Sequence, residues 1–213
     1  MNWVDYLLLA LLVVAMIFGS RRGVVRESMG LIAFMVGLVF ATHYIDWLAN
    51  ALTRRMALSP VLVSFVGFVV LVVAVFLVFR LLALLFYRVA SVSKMGKADH
   101  VGGALAGLLR GWLFLGFLLF LILYLPLPQT TLDAVDDSFL APGMRGAVPF
   151  IYEASAPLHP SNDRFITKVR AALDVMPGRY AEHPNDQKLQ RRKIRELERA
   201  QATIAQMEAR FDY

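Results

Sequence analysis

Two clusters, each with both acidic and basic residues, border long apolar stretches in this sequence. Arg22, Arg26 and Glu27 follow the first apolar stretch, and Asp99 and Arg110 flank a glycine-rich segment before the last one. Guanidinium groups bind phosphates and carboxylates through paired, charge-assisted hydrogen bonds. We expect these residues to form ion pairs at the level of lipid headgroups and to bind headgroups or a partner protein there. A plain basic loop that sets membrane topology is the alternative interpretation of the first cluster.

Glycines recur every four residues in one segment and every seven in another. They are Gly103, Gly107 and Gly111 in the first segment, and Gly23, Gly30 and Gly37 in the second. A stripe of glycines on one helical face lets a neighbouring helix approach closely. The spacing therefore predicts tight helix packing, either within the chain or between two copies of it.

Residues typical of enzyme sites do not occur in recognisable patterns. The chain has no cysteine, and its four histidines lack metal-ligand spacing. Asp5, His43 and Arg110 lie close to apolar segments, where ionisable groups are candidates for an ion path. All three are near segment ends, so we favour an interfacial position for them. The sequence thus predicts a protein that is not an enzyme and has no catalytic, metal-binding or cofactor-binding residues.

The elements that carry these residues follow from hydropathy. Hydrophobic residues make up 58% of the chain and charged residues 18%, whereas a soluble domain has about 45–50% and about 25%. Four apolar stretches, at about 3–19, 29–48, 61–79 and 111–127, are close to the ~20 residues that cross a bilayer. Backbone groups in lipid must bond within their own segment, so each stretch should be a helix. We predict an all-α membrane protein with about four transmembrane helices in residues 1–127.

Residues 81–109 do not fit a simple loop, because two apolar arms surround a polar tip at residues 91–100. Either the third and fourth helices extend past the bilayer with arginines reaching back to its surface, or the segment forms a hairpin. Such a hairpin would lie in the interface or re-enter the membrane. The sequence leaves both arrangements open.

Two extramembrane segments follow the apolar region. Prolines recur through residues 128–186, so we expect only short helical turns there. Residues 187–213 contain no glycine or proline. One helical face carries apolar residues and the opposite face arginine and glutamate; the apolar residues are Ile194, Leu197, Ile204, Met207 and Phe211. This pattern predicts an amphipathic C-terminal helix that docks on a partner or an anionic surface, with a solvated charged helix as the alternative.

Orientation follows from the charges of the short loops. One side has Arg21, Arg22, Arg26, Arg88, Lys94 and Lys97, and the other has Arg54, Arg55 and Arg145 together with Asp133, Asp136 and Asp137. Because the more basic loops stay in the cytoplasm, both termini should lie outside it. The same preference, with attraction to anionic headgroups, accounts for the net charge of +6 without a nucleic-acid partner.

Several of these residues occur in an order typical of a known family. The segments are Asn2 to Tyr6, Arg22 to Glu27, His43 and Tyr44, Asp99 to Gly111, and Ser138 to Pro142. Over residues 1–155 the chain resembles the colicin V production protein family of bacterial inner-membrane proteins. His100 departs from the family pattern, in which arginine commonly follows the aspartate, and Gly102 replaces a larger residue. The tail beyond about residue 160 lies outside the resemblance.

The resemblance implies an inner-membrane protein needed to produce or export a peptide toxin, with a broader role in the bacterial envelope and no known reaction. The positions carried over are Asp5, Arg22, Gly23, Arg26, Glu27, Asp99, Gly103, Gly107, Arg110 and Gly111. Our leading hypothesis is a non-enzymatic assembly or export-assisting factor that forms oligomers through its glycine faces. A small channel or solute transporter is the alternative.

Overall fold

The computed structural model describes residues 2–55, 59–89, 96–158, 163–174 and 186–211. Within these ranges every regular element is a helix, so the all-α prediction is confirmed. The helices are α1 (Trp3–Arg22), α2 (Val24–Arg55), α3 (Pro60–Val89), α4 (Lys97–Ile122), α5 (Gln129–Asp136), α6 (Ala141–Ala154), α7 (Phe165–Leu173) and α8 (Gln187–Phe211), with a 3-10 turn at Ala156–Leu158.

Four of these helices are long and apolar enough to cross a membrane, as predicted. The candidate spans are Trp3–Arg22, Val24–Thr53, Pro60–Leu82 and Lys97–Ile122. Between 28% and 44% of the most apolar window of each span is buried. The rest of each window is exposed or only partly buried, as expected of helices that also contact lipid.

α3 and α4 are longer than the apolar stretches at 61–79 and 111–127. α3 continues to Val89, and α4 begins at Lys97 instead of Gly111. The two apolar arms of residues 81–109 are thus continuations of these helices, and residues 91–95 of the polar tip lie outside the described residues. A helix depends on its own hydrogen bonds, so it persists past the point where hydropathy falls.

The chain divides into two compact units, and the first comprises Met1–Leu38 and Val72–Phe150. In this unit α1 packs along α4. Val4, Leu8 and Leu12 of α1 are one helical turn apart and belong to the buried apolar core. The spacing of these residues therefore fixes which face of α1 is turned inward.

α1 begins with a capping box. The Asn2 side chain accepts hydrogen bonds from the backbone N–H groups of Val4 and Asp5, and the Asp5 carboxylate accepts one from the Asn2 N–H. Each bond satisfies a donor that the first turn of a helix leaves without an intrahelical partner. The capping box sets the start of the first span.

The second unit comprises Val39–Leu71 and Ile151–Tyr213. A hydrogen bond joins its two segments, because the Ser64 hydroxyl of α3 donates to the Ala172 carbonyl oxygen of α7 at 3.2 Å. Both groups are buried, so each satisfies the other where water does not reach.

α8 is the amphipathic C-terminal helix predicted from the sequence. Ile204, Met207 and Phe211 are buried, and the rings of Phe165 in α7 and Phe211 have centroids 5.9 Å apart. Ile194, further toward the start of the helix, is exposed. The C-terminal half of α8 therefore docks on α7 of the same chain. A hydrophobic face with helical spacing indicates burial but not the surface that buries it.

The proline-rich segment contains one helix longer than the short turns expected there. α6 has 14 residues and includes Pro149. Pro142 is its second residue, where no backbone N–H is needed. Pro149 removes one helical hydrogen bond, and the complete burial of Met144 and near-complete burial of Val148 offset that loss.

Candidate functional site

A single residue, Gly23, links α1 to α2. Its φ of 87° lies in a region that L side chains rarely adopt, and its N–H donates to the Gly19 carbonyl oxygen at 3.1 Å as α1 ends. α2 begins at the next residue. Arg22, in the last turn of α1, and Glu27, in the first turn of α2, are therefore brought close together.

Asp99 of α4 caps the start of α2. Its Oδ1 accepts a hydrogen bond from the Val24 N–H at 2.8 Å, and a Cβ at Gly23 would lie 2.5 Å from Asp99 Oδ2. A carboxylate at a helix N-terminus satisfies an open donor and complements the helix dipole. The sequence grouped Asp99 with the ion-paired arginines, whereas its carboxylate bonds to the backbone of α2.

His100 contacts the other side of the same link. Its Nδ1–H donates to the Ser20 carbonyl oxygen at 2.7 Å, near the C-terminus of α1, where the helix carries partial negative charge. The contact requires a hydrogen-bond donor. The His100 imidazole supplies that donor.

Glu27 and Arg110 form the central ion pair of the site. Arg110 Nη1 donates to Glu27 Oε1 at 2.9 Å, and Arg22 Nη1 lies 3.7 Å from Glu27 Oε2. The side chain of Glu27 is 7% exposed and that of Arg110 is 24% exposed. Glu27 thus pairs with arginines, as the sequence predicted. Its carboxylate is held away from bulk water.

Gly30 and Phe76 position the Arg110 guanidinium. A Cβ at Gly30 would lie 2.9 Å from Arg110 Nη1, so glycine leaves room for the guanidinium beside α2. Arg110 Cζ lies 5.5 Å from the centre of the Phe76 ring, within range of a cation–π interaction. The spacing of Gly30 predicted a helix contact, but its contact is with a side chain.

Arg110 lies inside α4 and not at its start. Ala15 of α1 lies against both Gly107 and Gly111, on either side of Arg110. Ala15 precedes Arg22 by seven residues, which corresponds to about 10 Å along the helix. The Arg110 backbone is therefore deeper than the end of α1, and its side chain reaches back toward Glu27.

These charged groups line a cavity of about 440 Å³, here called the arginine cavity. Its charged lining consists of Arg22, Arg26, Glu27, Arg80 and Arg110, and its remaining lining of Met29, Gly30, Ala33, Phe76 and Phe79. Sequence reasoning missed Arg80, Phe76 and Phe79 as members of the site. The available signal was Arg80, the first charge after the third apolar stretch.

The glycine stripe of α4 faces α1. A Cβ at Gly107 would lie 2.7 Å from the Ala15 carbonyl oxygen, and one at Gly103 would lie 2.5 Å from the Gly19 carbonyl oxygen. The two backbones are thus in direct contact, and the tight packing predicted for the stripe occurs within one chain. Sequence reasoning missed Gly19, although it precedes Gly23 by the same four-residue spacing.

Asp5 lies near the opposite end of α1 and is fully buried. Its Oδ1 accepts hydrogen bonds from the Ser138 hydroxyl at 2.6 Å and from the Leu140 N–H at 3.1 Å. The Asn2 side-chain amide donates to the Ala134 carbonyl oxygen. These bonds tie the start of α1 to the segment around α5 and give Asp5 a structural role.

His43 belongs to the second unit, where its ring and that of Tyr44 have centroids 4.7 Å apart. Within the part of the chain that the structure describes, no group of three or more His, Asp or Glu side chains is placed to hold a metal ion. The arrangement of charges in the arginine cavity instead suits an anion, because guanidinium groups outnumber carboxylates there.

Four membrane-length helices with an ion-paired cluster near the ends of two spans define a multi-span α-helical membrane protein. The chain belongs to the colicin V production protein family, whose model matches residues 4–149, so the predicted resemblance is confirmed. The match includes every residue of the arginine cavity but not α7 or α8. No curated protein and no solved structure matches the chain.

Proposed function

We propose that this protein is a non-enzymatic assembly or export-assisting factor of the bacterial cytoplasmic membrane, needed to produce a peptide toxin of the colicin V type. Membership of the colicin V production protein family supports the link to toxin production. The four candidate spans support the membrane location. The mutual pairing of Glu27 with Arg110 and Arg22 favours binding over catalysis.

The observation that carries the proposal is the arginine cavity. Four guanidinium groups and one carboxylate line it, so it attracts anionic groups. By the positive-inside rule this end of the helices lies in the cytoplasm, and both termini lie on the periplasmic side. The cavity would there meet anionic headgroups or a membrane-protein partner.

Association with a second copy of the chain is part of the proposal but needs a surface other than the glycine faces. Gly103 and Gly107 contact α1 of the same chain, and Gly37 lies near Val72 of α3. An oligomer contact is therefore to be sought on the exposed apolar faces of the spans.

Complementation in a colicin V-producing strain that lacks the gene tests the proposal. Wild-type protein should restore toxin activity in the medium, whereas the double variant Arg22→Gln with Arg80→Gln should not, at equal membrane abundance. Arg21→Gln is the control, since Arg21 is exposed and does not line the arginine cavity. Full secretion by the deletion strain, or by the double variant, would contradict the proposal.

A small channel or solute transporter is the second candidate, and the presence of the cavity itself favours it. Purified protein in liposomes separates the two functions. An assembly factor should pass neither ions nor small solutes. Flux that Arg110→Ala abolishes without loss of folding would establish the transporter and exclude the assembly factor.

A further inference from the structure

The arginine cavity has a charged wall and an apolar wall. Guanidinium groups, including those of Arg26 and Arg80, form the first, and Phe76 and Phe79 contribute to the second. Both phenylalanines belong to the candidate span Pro60–Leu82. A volume of about 440 Å³ is typical of a pocket for a small ligand or a headgroup. A matching ligand must therefore carry an anionic group next to an apolar one.

Glu27 adds a buried acceptor to the cavity. Its Oε1 is bonded to Arg110, but its Oε2 has no hydrogen-bond partner among the described residues and lies 3.7 Å from Arg22 Nη1. A buried carboxylate oxygen without a donor is unfavourable. A simple anion has no donor for this oxygen. A ligand that carries a hydroxyl or amine group beside its anionic group would supply one.

The position of the cavity along the helices narrows the choice of ligand. The first span ends at Arg22, and the Arg110 backbone lies about 10 Å deeper. The cavity thus reaches from headgroup level into the apolar layer. A phospholipid presents phosphate and hydrocarbon together at this boundary, whereas free phosphate or an acidic peptide would leave the phenylalanine wall uncovered.

We infer that the arginine cavity binds the headgroup of one hydroxyl-bearing anionic phospholipid, of which phosphatidylglycerol is the simplest. The phosphodiester accepts hydrogen bonds from the guanidinium groups, and a headgroup hydroxyl donates to Glu27 Oε2. The first methylene groups of the acyl chains lie over Phe76 and Phe79. The inference rests on the proposed placement of this end of the helices at the headgroups, and not on the role in toxin production.

Native mass spectrometry of the full chain in detergent measures this binding directly. Phosphatidylglycerol should bind about tenfold more tightly than phosphatidylcholine, whose headgroup has a phosphate but no donor. Arg80→Gln should weaken phosphatidylglycerol binding by about tenfold. Arg80 is exposed and does not contact Glu27 in the ion pair. Arg21→Gln, outside the cavity, should leave the affinity unchanged.

Glu27→Gln tests the hydroxyl contact by itself. Wild-type protein should prefer phosphatidylglycerol over phosphatidylmethanol, an anionic phosphodiester lipid without a headgroup donor. The variant should reduce that preference to within about twofold, because the charged acceptor is removed while the arginines stay. Its thermal unfolding curve shows whether it folds. If it does not fold, Arg80→Gln decides the inference.

Four results would overturn the inference. Two are equal binding of phosphatidylglycerol and phosphatidylcholine and equal affinity of Arg80→Gln and Arg21→Gln. Displacement of phosphatidylglycerol by inorganic phosphate would assign the cavity to free phosphate, and an acidic peptide copurified in its place would assign it to a protein partner.

Absence of the lipid preference with normal, gene-dependent toxin export refutes this inference alone. Normal lipid binding with gene-independent export refutes the proposed function alone.

Discussion

Glu27 sets the charge arrangement of the arginine cavity because it is the one carboxylate among the described residues that line it. Its Oε1 lies 2.9 Å from Arg110 Nη1, and the pair is mostly withdrawn from water. Without Glu27, the guanidinium of Arg110 would remain beside Gly30 and Phe76 with its main counter-charge removed. The carboxylate therefore stabilises the cavity as well as shaping its ligand preference.

Glu27→Arg should lower the free energy of unfolding by about 1–3 kcal/mol, because it replaces a charge-assisted hydrogen bond with repulsion from Arg110. Thermal unfolding in detergent and abundance in membranes measure the effect. Glu153→Arg makes the same change at an exposed site in α6 and is the matched control. Wild-type stability and abundance in the Glu27 variant would show that the ion pair does not stabilise the fold.

Lys168 of α7 joins two carboxylates within the second unit. Its Nζ lies 3.2 Å from Asp46 Oδ2 and 3.4 Å from Asp163 Oδ2, and its side chain is 12% exposed. Burial lowers the pKa of Lys168, but the hydrogen bonds and charges of Asp46 and Asp163 outweigh burial. The pKa is thus raised above its usual value of 10.5.

A lysine pKa that is raised by folding makes stability fall on the alkaline side. The interaction contributes fully below the unfolded-chain pKa of about 10.4 and is lost as pH rises through the higher folded-state pKa. The melting temperature of wild-type protein should therefore fall more steeply above about pH 10.4 than that of Lys168→Met. Lys188→Met, at an exposed position of α8, should follow wild type. Parallel curves for wild type and Lys168→Met would contradict the prediction.

The sequence identified most charged residues of the site but not their partners. Charge type and order were sufficient to group Glu27 with Arg22 and Arg110. They were not sufficient for Asp99, because a carboxylate serves equally well as an ion-pair partner or as a helix cap. Phe76 could not be recognised, since α3 is apolar on all sides and its rotation about its axis is decided by packing.

At the scale of helices, the contact between α1 and α4 depends on backbone proximity. A Cβ at Gly107 would lie 2.7 Å from the Ala15 carbonyl oxygen. A Cβ at Gly37 would lie 3.4 Å from its nearest neighbour, the Val72 carbonyl oxygen. In lipid, helix association draws on van der Waals packing, which such close approach maximises. The two glycines are thus equivalent in sequence context but not in space.

Gly107→Ala should destabilise the protein by about 1–3 kcal/mol, because the added methyl group forces α1 and α4 apart. Gly37→Ala should be neutral or slightly stabilising, since alanine favours helix by up to about 1 kcal/mol over glycine and has room there. Thermal unfolding of both variants in the same detergent measures the difference. Equal melting temperatures would show that the α1–α4 contact tolerates the extra atom.

Helix boundaries were the part of the fold that the sequence predicted least well. The apolar stretch at 111–127 covers the C-terminal half of α4 and continues past its end at Ile122, yet the helix begins at Lys97. Asp99 and Arg110 lower the local hydropathy without breaking any helical hydrogen bond. Hydropathy therefore indicates which part of a helix is surrounded by lipid. It does not mark the ends of the helix, which can lie beyond the apolar stretch.

At the scale of the whole molecule, the family match and the candidate spans cover the same part of the chain. The match ends at residue 149, and the last span ends at Ile122. An even number of spans places both termini on one side of the membrane. The proposed orientation then depends on the basic residues near the Gly23 link and the α3–α4 connection, which the positive-inside rule assigns to the cytoplasm.

Reporter fusions test that orientation. Alkaline phosphatase, which is active only in the periplasm, should be active when fused after residue 213, while green fluorescent protein fused there should stay dark. Truncated fusions after residue 95, between α3 and α4, are the matched control and should give the opposite pattern, because one span separates the two sites. The reverse result at both sites would put the arginine cavity on the periplasmic face. It would remove the basis for a cytoplasmic partner while leaving the helix packing unchanged.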